Sequence, residues 1–453
     1  MMTRAVLVGL AFLFLMVASG CGSAGEPVGS GAVVVSGNGL APDSTETVGS
    51  QADEYQADGN LAAQSVDAVS PSQVGASGAV GASGVVDSGD GAPPPDFSPV
   101  LTQEDVDALF IEEFIAGLSL EAQVSQLFII ALGDGFSGVS DGLSQFVMES
   151  MAGGYVLFGS NITTVEGTRA LTGAIREVSA VAPFICIDEE GGVVSRLNSA
   201  GLPGYAAQPS ARSVGATGDA QNASVAGEAI GSVLSSIGVN VNFAPVADVL
   251  TNPQNTAIGS RSFGSDPDAV SDMVSAFQAG LHSQGIMSAP KHFPGHGNTA
   301  RDTHFGPAIV ASDLEHLAAV EFVPFARAIR EGAEFVMVGH ITAPEAEPGG
   351  LPASLSRFFV TDVLRGELGF GGIVVTDAMN MAAVAGSYAA GEAAVLALMA
   401  GVDMILMPED FQAAVDGVLQ AARDGVLPAG RIHESLLRIF SAKLAAGMLG
   451  TPG

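Results

Sequence analysis

Fourteen residues carry a dense set of reactive side chains: Lys291-His292-Phe293-Pro294-Gly295-His296-Gly297, then Asp302-Thr303-His304. They hold one Lys, three His and one Asp in a chain that has only seven His in all and two lysines, Lys291 and Lys443. Pro294 and the two glycines predict a shaped loop, because they suit backbone geometries that helix and strand interiors reject. Loops on a rigid scaffold are where binding and reacting groups gather. An imidazole exchanges protons near neutral pH, and an adjacent Asp fixes its tautomer and raises its basicity. The three imidazoles are also conceivable metal ligands. Their spacing lacks the i, i+4 pairing of a helical site, however, and the loop has no thiolate or further carboxylate to complete a set.

A loop of this kind needs a frame. Short apolar runs at Gln126–Leu132, Tyr155–Phe158, Phe184–Asp188, Val239–Phe243, Ile286–Ala289, Phe335–Gly339, Ile373–Thr376 and Asp403–Met407 predict eight strands. Amphipathic stretches such as Ser224–Ile237, Pro267–Ser283, Leu314–Glu331 and Gly391–Ala400 predict intervening helices. Fully apolar strands alternating with helices indicate a parallel sheet covered on both faces. Eight of them in an α/β chain indicate a (β/α)8 TIM-type barrel, with its active site at the C-terminal strand ends. An open doubly wound sheet is the alternative, but no dinucleotide glycine fingerprint follows an early strand. On the barrel, Asp188 and Glu190 end the third strand, and Asn242 and Asp248 flank the fourth. Lys291 and His292 end the fifth, His340 the sixth and Asp377 the seventh. Polar residues collected at one rim argue for an enzyme.

The rest of the composition bounds partners and location. A formal charge of −32, from 16 Lys and Arg against 48 Asp and Glu, excludes nucleic-acid binding, which needs basic phosphate contacts. Residues 1–21 read as an export signal: Arg4, an apolar run from Ala5 to Val17, then Ala18-Ser19-Gly20 before Cys21. Small residues directly before that Cys resemble a bacterial lipobox, which implies a lipid-anchored protein on the extracytoplasmic side of a membrane. Residues 22–103 contain no Lys or Arg and repeat Gly-Ala-Ser-Gly, a composition that predicts a disordered acidic tether. The catalytic domain is then residues 104–453. Cys186, within Phe184-Ile185-Cys186-Ile187, is expected to act as a small buried hydrophobe. Neither a cofactor nor a metal is called for, and a monomer is expected.

Among reactions open to Asp, His, Lys and Arg at a barrel mouth, glycoside cleavage fits best. It needs a carboxylate at the anomeric carbon and a proton donor across the bond. The loop resembles the hallmark of the glycoside hydrolase family 3 β-N-acetylhexosaminidases, with Thr303 where Ser is common. Supporting matches are Gly154-Tyr155-Val156-Leu157-Phe158, Asp188-Glu189-Glu190-Gly191-Gly192, Asn242 through Asp248, Arg261-Ser262-Phe263-Gly264 and Val374 through Met381.

The resemblance implies that Asp377 is the nucleophile and that His304, charged and oriented by Asp302, is the acid/base. It implies that Asp188, Arg196, Arg261, Lys291 and His292 hold the N-acetylglucosamine ring. Asp248 is expected only to cap or brace the barrel and His296 to brace the loop, while His340 is expected either to support the site or to touch the ring. Glu189 and Val193 depart from the family's usual Gln and Arg, which puts local salt bridging in question. With no second α/β domain in the chain, the acid/base is expected from the barrel's own loop. The implied activity is a retaining exo-β-N-acetylglucosaminidase acting on cell-wall fragments, the alternatives being a phosphorylase or β-glucosidase of the same family, or a non-catalytic sugar-binding lipoprotein.

Overall fold

The computed structural model describes residues 102–300 and 302–450. The signal segment, Cys21 and all of the expected tether up to residue 101 lie outside the described residues. Thr102 and Gln103, assigned to that tether, differ from expectation. Gln103 opens the helix Gln103–Ala116, and Thr102 caps it in a reciprocal capping box with Asp105.

Eight parallel strands follow the apolar runs: β1 (Phe128–Ala131), β2 (Gly154–Leu157), β3 (Phe184–Ile187), β4 (Val241–Asn242), β5 (Met287–Ser288), β6 (Phe335–Val338), β7 (Ile373–Thr376) and β8 (Ile405–Leu406). Strand β8 pairs with β1, and β1 through β5 pair in chain order, giving a six-stranded parallel half-barrel. Strands β6 and β7 form a second parallel ladder, Phe335 opposite Ile373 through Val338 opposite Thr376. Two parallel bridges join the halves, Phe293 to Val338 beyond β5 and Val375 to Met404 before β8. The result is a TIM-like α/β domain. Its longer strands are buried almost throughout, because one face packs inside and the other lies under helices.

Helix starts are written locally. Asp266 accepts the Ala269 amide and Pro267 takes the first helical position of Pro267–Ser283, where a missing N–H costs nothing. The stretch expected as one helix over Leu314–Glu331 is two, Leu314–Ala319 and Phe322–Arg330, broken at Val320 and Glu321. The first helix lies on the last, Ala429–Ala445, with Phe114 edge-on to Phe440 at 5.1 Å.

Charged groups do not gather at one rim only, as the sequence suggested. Asp403, fully buried just before β8, takes Arg365, Arg431 and Arg438 at 2.5–3.1 Å and also accepts from Ser435. Lys443 is equally buried; it donates to Gln126 at 2.7 Å and lies 5.1 Å from the Phe184 ring. These groups stitch the final helix and the helix before β7 to the N-terminal strand ends.

Candidate active site

At the C-terminal strand ends, a cavity of about 350 Å³ is bordered by all eight sequence-selected residues: Asp188, Arg196, Arg261, Lys291, His292, Asp302, His304 and Asp377. That volume suits one small polar ligand. Phe158, Met381 and Met407 add apolar wall.

One flank is an ion cluster around Lys291. Its ammonium contacts Asp188 Oδ1 and Glu190 Oε1, both at 2.7 Å. Burial would lower its pKa, but Asp188 and Glu190 outweigh that and raise it, so Lys291 stays charged. Arg261 grips Glu190 with two bonds, Nε to Oε2 at 2.9 Å and Nη2 to Oε1 at 2.8 Å. Glu190 is penalised by burial, yet Arg261 and Lys291 hold it far below the usual carboxylate range. Arg196 stands 3.6 Å from Asp188 and 5.2 Å over the Phe158 ring, and its buried Nε has no partner. A paired, buried fork of this kind presents fixed donors and acceptors to hydroxyl groups.

The second flank hangs on Asp248, which is 0% exposed. Its Oδ2 lies 2.7 Å from His292 Nδ1, and its Oδ1 accepts the amides of His292 (3.2 Å) and His296 (2.7 Å). Burial alone would raise the Asp248 pKa; the His292 interactions, with help from His296, hold it below its ordinary value. The other ring nitrogen of His292 faces Arg261 Nη2 at 3.2 Å. Since guanidinium can only donate, His292 Nε2 accepts and Nδ1 carries the proton toward Asp248. The loop reaches this position because Gly295 adopts φ +127° and Gly297 packs on Val249, where a Cβ would fall 1.8 Å from the carbonyl oxygen.

Asp377 follows β7. Its amide donates to the Val338 carbonyl and its Oδ1 accepts the Ala378 amide, both at 2.8 Å. Burial pushes its pKa up, but His292, His340, the Ala378 amide and Lys291 together bring it below the ordinary carboxylate value. The group is an anion at neutral pH. His340 is fully buried behind it, bonded to Ser354 Oγ at 2.7 Å and to the Ala378 carbonyl at 2.9 Å. Of the two roles open to His340, the geometry gives support: burial lowers its pKa, and it anchors the backbone that aims Asp377.

Lining the same cavity, His304 Nδ1 lies 2.7 Å from Asp302 Oδ1, and that oxygen also accepts the His304 amide at 2.9 Å. The His304 side chain is 64% exposed, so Nε2 is free toward solvent and cavity. Burial would raise the Asp302 pKa; the bonds from His304 bring it below its ordinary value instead. The carboxylate therefore stays charged beside the ring. His292, His296 and His304 hold separate partners in Asp248, Thr299 and Asp302, and among the described residues no three metal-type donors converge.

Sequence reasoning underrated two residues. The sequence motifs contain both but give Glu190 no role and Asp248 only that of capping or bracing the barrel, whereas in the structure Glu190 joins Lys291 to Arg261 and Asp248 sets His292. Glu189 is buried and accepts from the Leu197 amide and Tyr205 hydroxyl, both at 3.0 Å, while Val193 is 75% exposed. Neither departure from the family pattern disturbs the ion cluster.

Residues 119–442 match the model of the glycosyl hydrolase family 3 N terminal domain. A protein of Chromobacterium violaceum named beta-hexosaminidase is 37% identical over 275 residues, covering 58% of this chain and 74% of that one. Beta-hexosaminidase LpqI of Mycobacterium tuberculosis is 33% identical over 334 residues, 72% of this chain and 83% of its own. The solved glycoside hydrolase family 3 beta-N-acetylglucosaminidase from Paenibacillus sp. str. FPU-7 superposes with a TM-score of 0.70 at 36% identity. It covers 74% of this chain, which spans 64% of that neighbour's length.

Proposed function

The chain belongs to glycosyl hydrolase family 3, and on that premise we propose that it is a retaining exo-β-N-acetylglucosaminidase. It releases terminal N-acetylglucosamine from peptidoglycan fragments or related β-linked oligosaccharides. The observation that carries this reading is one cavity shared by the Asp377 carboxylate and the Asp302–His304 pair, with the Asp188–Lys291–Glu190–Arg261 cluster beside them.

In the first half-reaction, an Asp377 oxygen forms a bond to the anomeric carbon as the glycosidic C–O bond breaks. His304 Nε2–H passes its proton to the departing oxygen, and Asp302 steadies the imidazolium from which it leaves. In the second, His304 takes a proton from water as the water oxygen displaces Asp377 from the anomeric carbon. Two inversions return the original β configuration. Asp188, Arg196, Arg261, Lys291 and His292 hold the ring hydroxyls. Time-resolved NMR of the first-formed sugar tests the scheme: β-N-acetylglucosamine is expected, and an α-anomer as first product would overturn it. The same spectra in phosphate distinguish a phosphorylase, which alone yields sugar 1-phosphate.

The proposed site of action is outside the cytoplasm, on a membrane through Cys21, with the enzyme acting as a monomer. The sequence of residues 1–21 supports this location. Loss of membrane association in Cys21→Ser is the expected result, and unchanged fractionation would reject the anchor.

A further inference from the structure

Glu321 is fully buried at the break between the helices Leu314–Ala319 and Phe322–Arg330, and neither of its carboxyl oxygens has a hydrogen-bond partner. It packs beneath the active-site loop. A Cβ at Gly295 would sit 2.6 Å from Glu321 Oε2 and 2.7 Å from Glu321 Cβ, so only glycine lets the loop lie on this side chain. The next residue, Phe322, stacks on Phe293 of the same loop at 5.3 Å. A buried carboxylate without a partner is expensive, whereas the neutral acid is far less so.

From these contacts we propose that Glu321 is a positioning residue held as the neutral acid: it supports the turn at Gly295 and keeps a second negative charge away from Asp248, so that Asp248 can hold His292. The inference deepens the glycosidase reading and rests on it for the link to sugar binding.

The surrounding charges agree. Burial first, then the Asp248 charge, push the Glu321 pKa up to about 8; the Val249 backbone lowers it in part but does not meet the geometry of a hydrogen bond to either oxygen. From the loop after β5, the imidazoles facing this region are His292, whose Nδ1 is spent on Asp248, and His296, whose Nδ1 is bonded to Thr299 while its backbone amide donates to Asp248. Arg261 is committed to Glu190. On Glu321's own helix, Arg327 pairs with Glu331 and Asp272. In the preceding helix, His316 is exposed to solvent. Among the described residues no cation pairs with Glu321, so its ionisation has to be borne by Asp248 and the loop.

The test compares the full chain with Glu321→Gln, which keeps shape and neutrality, across pH 6 to roughly 9.5. Infrared difference spectra should show a protonated carboxylic acid band in the parent at pH 6 that is missing from the Gln variant. Hydrogen exchange of residues 291–299, corrected for intrinsic rates, should accelerate several-fold in the parent above its transition and stay flat in the variant. Affinity for N-acetylglucosamine should fall about tenfold over the same range in the parent, while the variant keeps the parent's neutral-pH affinity. An infrared band equal in both proteins, or loop exchange and affinity that track pH identically in both, overturns the proposal. If N-acetylglucosamine binds neither protein, the glycosidase reading fails, and the infrared and exchange data still decide the role of Glu321.

Discussion

Asp248 Oδ2 and His292 Nδ1 are 2.7 Å apart with the carboxylate wholly buried, so Asp248 determines which nitrogen of His292 is exposed to Arg261 and the cavity. A carboxylate accepts only, which leaves His292 no alternative proton placement on that side.

Asp248→Asn should therefore damage binding before chemistry. An amide can present N–H groups to Nδ1 and favour the wrong tautomer, and the two loop amides lose a charged acceptor. Losing charge-assisted bonds of about 1.5–3 kcal/mol predicts a KM raised roughly ten- to a hundredfold. The fall in kcat should be smaller. Steady-state kinetics decide this; a loss confined to kcat would contradict the role.

Asp377→Ala removes the proposed nucleophile. Turnover should drop by roughly 10⁴-fold or more, while the melting temperature and sugar affinity stay close to the parent. Calorimetric titration with N-acetylglucosamine beside a rate assay is sufficient, and retained turnover would dismiss the assignment.

For His304→Ala, the expected loss is on the order of 10²–10⁴-fold on oligosaccharides, whose leaving oxygen needs a proton. Aryl glycosides with good leaving groups should lose far less in the glycosylation step. The ratio of kcat/KM between the two substrate types is the readout, and equal losses would count against acid catalysis. Because His304 is largely exposed, its removal should leave stability within about 0.5 kcal/mol.

Glu190 makes stability depend on acid. Its folded pKa lies far below the ordinary 4.5 because Arg261 and Lys291 outweigh the cost of burial. The unfolded chain therefore binds more protons on acidification. The stabilisation is complete above about pH 4.5 and is lost progressively as pH falls through that value toward the folded pKa. Melting temperature against pH should decline below about 4.5 in the parent and less steeply in Glu190→Gln, which starts from lower stability at pH 7. Parallel curves would show that the ion cluster is not the source.

Much of the fold was legible because the eight strands are covered on both faces and so read as apolar runs with helices between them. The loop from Lys291 to His304 was legible because its reactive groups are close in sequence. The Leu314–Glu331 stretch was misread as one helix: its apolar spacing continues through Val320 and Glu321, but the chain turns there to set Glu321 under Gly295.

By itself, the sequence determined the parallel α/β architecture, the family, and eight of the residues that line the cavity. These follow from hydrophobic periodicity and from a long contiguous motif, both local along the chain. Tertiary structure alone decided the pairings: Lys291 with Asp188 across 103 positions, Arg261 with Glu190 across 71, and His292 with Asp248 across 44. It also decided which carboxyl groups are ionised, since the same side chain is an anion beside Arg261 and a neutral acid beneath Gly295. Charge state depends on burial and on neighbours brought together only by chain folding, and no pattern along the sequence encodes that distance.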